Sequence, residues 1–355
     1  MTPPPRSAVL AGRFLVASGH HLVSAVGRDV LATGGTAIDA TLAMAAVGWS
    51  ALPGQCGVGG DAFAVVREPD GTVWTAGGSG FGPDGGTPEF YREQGLTALP
   101  LDGPLGVAAP GAVAALAELH ARGATRSLAE LWAPGVEAAE AGLPCTAKTR
   151  GDILDHERVL RRDPGTSRTF LRDGRAPQIG ERIVQPELAA TIRRLAADPD
   201  DLYRGRLAGQ AVDALLAAGA PFSGDEWTAS GRALTGPSIT GRYRGFTVHQ
   251  TPLPTPGWMV LQQAALADGV LADLGWGSAG WIDRLARGAR RAFADRWATC
   301  GSDSDAWRAL LDPAAVDAAR AELAGGDARP VAAAAPCLDG DTTSTLAIDA
   351  DGRAV

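Results

Sequence analysis

Asp341-Thr342-Thr343-Ser344-Thr345-Leu346-Ala347-Ile348-Asp349 is the stretch on which the reading of this 355-residue chain turns. Its β-branched and hydroxyl-rich composition suits a pleated, half-buried strand. Asp351-Gly352 behind it is a strong hairpin signal, yet only Arg353, Ala354 and Val355 follow. A return strand that short would leave most of the first strand's backbone groups unpaired, so the segment reads as a hairpin cut off midway and the chain as an incomplete polypeptide. A threonine hydroxyl within a chain is a poor nucleophile, because nothing beside it accepts its proton. A threonine at a chain N-terminus carries its own base, since an α-amine with a pKa of about 7.7–8.0 is partly neutral at pH 7. The hydroxyl can also attack the carbonyl before it, that of Asp341, giving an ester whose hydrolysis frees the amine. The same run is equally a plain strand with an exposed hydroxyl face.

Working outward, residues 325–336 are rich in Ala, Gly and Pro and read as an exposed linker. From Pro110 to Arg320 the pattern is helical, with segments near 111–122, 127–141, 187–197, 206–218, 257–275 and 281–298, interrupted by one strand candidate, Phe246 to Gln250. Nearer the start, residues 20–33 carry an apolar stripe that ends at Gly34-Gly35, and Ala37 to Val47 is almost wholly small and apolar, as a buried helix requires. The strands Ala62–Val66 and Thr72–Thr75 close into a hairpin about Pro69-Asp70-Gly71.

The balance of 32 basic against 40 acidic residues gives a net charge of −8, which does not attract nucleic acid or anionic membrane. The N-terminal apolar run is broken by Arg13, so a cytoplasmic protein is expected. Cys56, Cys145, Cys300 and Cys337 lack metal or disulfide spacing and read as reduced structural thiols. Lys148 is the only lysine and sits in what reads as solvated loop. His20 and His21 are expected to project apart, and His120, His156 and His249 lack ligand spacing, so no metal and no cofactor is implied. Gly57-Val58-Gly59-Gly60-Asp61-Ala62 matches a dinucleotide fingerprint, but a turn precedes it and a strand follows, the reverse of the required order. Gly77-Gly78-Ser79-Gly80-Phe81 has phenylalanine where a serine-hydrolase elbow needs glycine.

Taken in order, several segments resemble the γ-glutamyltranspeptidase family of N-terminal-nucleophile hydrolases. They are Ala17-Ser18-Gly19-His20-His21-Leu22, Gly34-Gly35-Thr36-Ala37-Ile38-Asp39-Ala40, Pro53 through Phe63, Ala109-Pro110-Gly111-Ala112-Val113 and Gln185-Pro186-Glu187-Leu188-Ala189. Tyr243-Arg244-Gly245, the proline run at 252–257, Ala292-Phe293-Ala294-Asp295-Arg296 and the opening Thr342-Thr343 continue the series, so the likeness runs from about residue 16 to 355. The resemblance implies an α+β fold, the four-layer αββα sandwich with a helix-rich large subunit, its sheet incomplete in this chain. It implies a large-subunit region at 1–324, a linker at 325–341 ending at the self-cleavage bond between Asp341 and Thr342, and a truncated small subunit at 342–355. Thr342 would then be the catalytic nucleophile, taking a γ-glutamyl group from glutathione or a related amide and passing it to water or an amine.

Two departures bear on this. The family holds its donor's carboxylate with an arginine in the segment matching Trp74 to Pro83, where this chain has none, leaving Ser79 or Phe81 in that place and Thr343 as a further pocket candidate. The family's oxyanion glycines lie well downstream of Thr342, so the chain is expected to be inactive without a remaining small-subunit polypeptide as partner. Hydrolysis of another amide or acyl bond in secondary metabolism, or a non-catalytic remnant serving as a binding module, are the alternatives.

Overall fold

The structure, a computed structural model, describes residues 12–299, 301, 304–325 and 342–355. The expected linker beyond Gly325, Asp341 included, lies outside the described residues, as do Cys300 and Cys337.

The elements follow in chain order. The first are β1 (Leu15–Ser18), α1 (His21–Ala32), α2 (Ala37–Ala51), β2 (Ala62–Arg67), β3 (Val73–Gly78) and α3 (Pro88–Glu93). Next come α4 (Ala112–Gly123), α5 (Leu128–Ala141), β4 (Leu143–Pro144), α6 (Ala147–Asp155), α7 (Glu157–Leu160), α8 (Pro164–Phe170), β5 (Arg182–Ile183) and α9 (Pro186–Ala197). Then follow α10 (Asp201–Arg204), α11 (Arg206–Ala217), α12 (Asp225–Ala229), β6 (Leu234–Pro237), β7 (Ile239–Tyr243) and β8 (Phe246–Gln250). The last are α13 (Gly257–Ala267), α14 (Ala279–Thr299), α15 (Pro313–Ala324) and β9 (Thr345–Ile348). The described chain divides into two compact units, one of residues 12–72, 76–235 and 342–355, the other of 73–75 and the described part of 236–325.

In the larger unit α2 is the buried centre. Ala37, Ile38, Ala40, Leu42, Ala43, Met44 and Ala46 are fully buried, and the helix packs against α1, α4, α5 and β9. Its small side chains permit close approach: a Cβ on Gly135 of α5 would lie 2.7 Å from both the backbone and the side chain of Ala46, so glycine is required there. Trp49 and Trp132 meet edge to face beside this contact, with centroids 5.2 Å apart. The start of α2 is a complete capping box. The Thr36 hydroxyl accepts from the Asp39 amide, and the Asp39 carboxylate accepts from the Thr36 amide.

The terminal strand is paired on both sides, which corrects the reading of a mostly unpaired hairpin arm. Along one edge β9 runs antiparallel to β1, with Leu15 opposite Ile348 and Ser18 opposite Thr345. On the other edge Ala347 exchanges both backbone hydrogen bonds with Val355, at 3.0 and 2.9 Å. Ala354 in turn exchanges both with Arg67 at the end of β2, at 2.8 and 2.9 Å. Three residues suffice because they act as a wedge between two strands already present, which the local hairpin pattern does not reveal.

The smaller unit holds more strand than its sequence pattern suggests. Besides β8 it contains β7, and the two form an antiparallel hairpin with Ile239 opposite Gln250 and Tyr243 opposite Phe246. The turn is Arg244-Gly245, both at positive φ (50° and 84°), and an arginine in that region is not a turn signal. Gly241 weakens the β pattern of β7, yet it lets the strand lie on α13, where an added Cβ would come 3.3 Å from Leu261. The helix expected over 257–275 ends at Ala267, ahead of Gly269 at φ 75°. The described residues thus form a mixed fold of helices and short sheets.

Candidate active site

Thr342 stands at the exposed mouth of β9, and Thr343 beside it is half-buried. The Thr343 hydroxyl lies over Gly19, where an added Cβ would come within 3.1 Å of Oγ1. Glycine at the end of β1 therefore gives the threonine pair its room.

The far end of the strand is clamped. Asp349, 8% exposed, accepts the amide of Ala37 at the first turn of α2 (2.9 Å) and the amides of Asp351 (3.1 Å) and Arg353 (2.9 Å). One carboxylate thus ties the strand, its turn and the N-terminus of the central helix together, a charge placed where the helix dipole favours it. Arg353 extends the clamp with an ion pair to Glu68 at 2.7 Å. Asp39 does similar work on the other side of the α2 terminus. Burial opposes its ionisation, but hydrogen bonds from the Thr125 hydroxyl and from the amides of Thr36, Thr125 and Arg126 outweigh it and hold the carboxyl below the ordinary carboxylate range. The clamping role of Asp349 was not read from the sequence, although an aspartate two residues before Asp351-Gly352 is the residue type that accepts from its own turn.

The other pocket candidates, Ser79 and Phe81, have partners of their own. Ser79 donates to the Gly80 carbonyl at 3.3 Å, while the Phe81 amide donates to the Ser230 hydroxyl at 3.0 Å and the Phe81 carbonyl accepts from Ala109 at 2.8 Å. Glycines at 78, 80 and 111 let these backbones touch, leaving the Phe81 ring half-exposed. The Phe81 backbone is thus anchored to Ala109 and Ser230. The Gly57–Gly60 loop leads into β2, and the Gly60 carbonyl accepts from Gly111 and Ala112 at the start of α4, leaving the loop a structural brace. Burial raises the pKa of Asp61 beside it, a perturbed carboxyl that the sequence did not single out.

Two local expectations are corrected. Lys148 lies in α6, not in loop, and pairs with Asp152 one turn on at 2.8 Å, an i,i+4 geometry that Thr146 enables by capping the helix. His20 and His21 do not point apart: their rings stack with centroids 4.5 Å apart, because His20 is the N-cap of α1 and its Nδ1 turns back to accept the Leu22 amide. The His20 pKa is lowered by burial and then by its neighbour's charge. Burial pushes the Cys56 thiol up to about 11 and also raises Cys145, so neither is an activated nucleophile. No cluster of metal-ligating side chains occurs among the described residues, and no described helix is long and apolar enough to cross a membrane.

Thr342 thus lies just ahead of β9, whose other end is locked to the central helix through Asp349. The sequence profile of gamma-glutamyltranspeptidase matches residues 23–355. The chain belongs to the gamma-glutamyltranspeptidase family. It is 32% identical to the acylase ACY 1 proenzyme of Pseudomonas sp. (strain SE83), over 97% of this chain and 64% of that relative. Among solved structures, the cephalosporin acylase from Bacillus halodurans superposes with a TM-score of 0.86 at 28% identity, covering 99% of this chain and 66% of that one. The Helicobacter pylori gamma-glutamyltranspeptidase shares the fold, with a TM-score of 0.83 at 24% identity over 92% of this chain and 95% of that one. The chain spans about two thirds or less of the length of the curated relatives it matches.

Proposed function

We propose that the protein is made as a precursor that cuts itself between Asp341 and Thr342 and then acts as an amide hydrolase or acyltransferase with Thr342 as nucleophile. The observation that carries this reading is the placement of Thr342 in the exposed segment that leads into β9, a strand whose far end is fixed by Asp349 to α2. Before cleavage the nitrogen of residue 342 is an amide and cannot serve as a base. After cleavage it is an amine that accepts the Oγ1 proton as Oγ1 attacks the substrate carbonyl. The bond to the leaving amine breaks as that amine takes up the proton, and the acyl group rests on Oγ1 as an ester. Water, or an acceptor amine, resolves the ester and restores the hydroxyl. The proenzyme names of its relatives support the precursor step in kind.

The substrate read as best supported is a small acyl amide other than a γ-glutamyl one. Trp74 to Pro83 contains no arginine to hold an α-amino acid carboxylate, and the similar proteins at 32% and 28% identity are an acylase and a cephalosporin acylase. The family itself favours the second reading, transfer from γ-glutamyl amides such as glutathione. Mass spectrometry of the purified protein tests the nucleophile: a species beginning at Thr342, absent in Thr342→Ala, is expected, and cleavage persisting in that variant would refute the assignment. Release of glutamate from glutathione at rates matching simple acyl amides would reverse the substrate order.

A further inference from the structure

Asp61 precedes β2 by one residue and Thr342 precedes β9 by three, and the strand register relates the two. Ala354 pairs antiparallel with Arg67 at the end of β2 and with Ile348 at the end of β9. The two strands therefore run parallel to each other on either side of residues 353–355, with Arg67, Ala354 and Ile348 in one row. Six residues back from that row lies Asp61 on one side and Thr342 on the other, so both stand at the same edge of the sheet. Side chains alternate between faces with a period of two, and an even count puts this pair on the same face. Burial follows the alternation. Val66 and Ala347, one residue before the row, are fully buried, whereas Asp61, Phe63 and Arg67 on one strand and Thr342, Ser344 and Leu346 on the other are exposed.

Two strand spacings separate Asp61 from Thr342 by roughly 10 Å, and side chains that stand perpendicular to the sheet keep that distance at their tips. The magnitude decides the role. Proton transfer needs about 3 Å or one bridging water, so Asp61 is neither base nor acid for the Thr342 hydroxyl. A carboxylate that far along the same face meets instead another part of the molecule whose carbonyl Thr342 attacks. It has the capacity to do so, since it is open to solvent and no described group donates a hydrogen bond to it. Burial alone raises its pKa, with no charged neighbour contributing. Its backbone is fixed by the Gly60 carbonyl, which accepts the amides of Gly111 at 3.1 Å and Ala112 at 2.9 Å. Phe63 on the same strand and Leu346 on β9, 42% and 40% exposed, extend the shared face with apolar surface. An ammonium group on an apolar stem complements this pattern: the charge meets the carboxylate and the stem covers carbon.

We infer that Asp61 is a specificity-determining residue that accepts a hydrogen bond from an ammonium group of the substrate, carried on a short apolar stem away from the amide that Thr342 attacks. The identity of the bond that is cut rests on the function proposed above; recognition of the ammonium group by Asp61 does not.

The test titrates the purified protein, by calorimetry at fixed ionic strength, with aminohexanamide, whose far end is an ammonium group, and with hexanamide, which lacks it. Aminohexanamide should bind about tenfold more tightly, and Asp61→Asn should erase the difference. Asp61→Arg should reverse it in favour of adipamate, the analogue that ends in a carboxylate. Both variants should fold normally, because the Asp61 carboxylate has no described partner to lose. Asp155→Asn makes the same change of charge at an exposed position of α6 and should leave the preference intact. Equal binding of the two amides, no saturable binding of aminohexanamide, a preference that survives in Asp61→Asn, or its loss in Asp155→Asn would each overturn the assignment. In the processed enzyme, Asp61→Asn should raise KM for aminohexanoyl anilide about tenfold, with kcat and the KM for hexanoyl anilide little changed. An equal rise for both anilides would reduce Asp61 to a structural part and refute its role in specificity. The binding arm needs no turnover: a protein that prefers aminohexanamide through Asp61 but yields no species beginning at Thr342 sinks the nucleophile alone.

Discussion

The two ends of β9 are held in opposite ways. At Asp349 the strand is locked by three amides onto a buried carboxylate, and Ala347 just before it is fully buried and paired on both edges. At Thr342 and Ser344 the chain is exposed, and the hydroxyl of Thr343 between them lies over Gly19. Orientation is thus supplied from one end and access left at the other. The self-cleavage and acyl transfer proposed above call for both.

The sharpest way to break this contrast is to remove the lock. Asp349→Ala leaves three amides without their acceptor, one of them at the start of a buried helix, and should cost about 2–4 kcal/mol in urea denaturation. Asp349→Asn, which keeps one acceptor oxygen, should lose less. Equal stability of Asp349→Ala and the parent would show that the strand is held by its ladder alone. Thr36→Ala should follow at about 1 kcal/mol, since it removes the hydroxyl that caps α2 while leaving Asp349 in place.

Acid should loosen the same end. The Asp39 pKa is depressed in the folded protein, so its contribution is complete above its ordinary value of 3.8 and is lost as the pH falls through the lower native value. Asp39→Asn should flatten that part of the stability profile between neutral pH and pH 3. At the open end the effect on stability should be smallest. Gly19→Ala asks Thr343 to yield by a few tenths of an ångström and should change unfolding free energy by less than about 0.5 kcal/mol. It should nonetheless slow appearance of the species that begins at Thr342, measured by mass spectrometry over time. A variant that cleaves at the parent rate would show that the pair has room to spare.

Much of this was legible in the order of residues. The apolar stripe of α1, the uniformly small α2 and the turn at Asp70-Gly71 lie where their periodicity and turn chemistry place them, within a few residues at their ends. The profile of the family spans the segments whose likeness was noted from Gly34-Gly35 onward and covers Thr342, while Ala17 to Leu22 lies ahead of it. Elements stabilised by distant partners were harder to see. β7 carries a glycine and turns through an arginine at positive φ, so its strand character comes from β8 and α13. His20 and His21 have neighbouring numbers but stacked rings, because a capping bond to Leu22 turns one of them back.

Sequence by itself determined the local chemistry: a hydroxyl-rich run from Thr342 into a strand, helices marked by caps and periodicity, and a segment from Trp74 to Pro83 without a guanidinium. Such properties depend on residues close along the chain, where covalent connectivity already brings the groups together. Only the tertiary structure decided that three terminal residues wedge between β9 and β2 and that Asp349 reaches the start of α2. Those contacts join residues up to about three hundred positions apart, and their geometry exists only once the core has closed around α2.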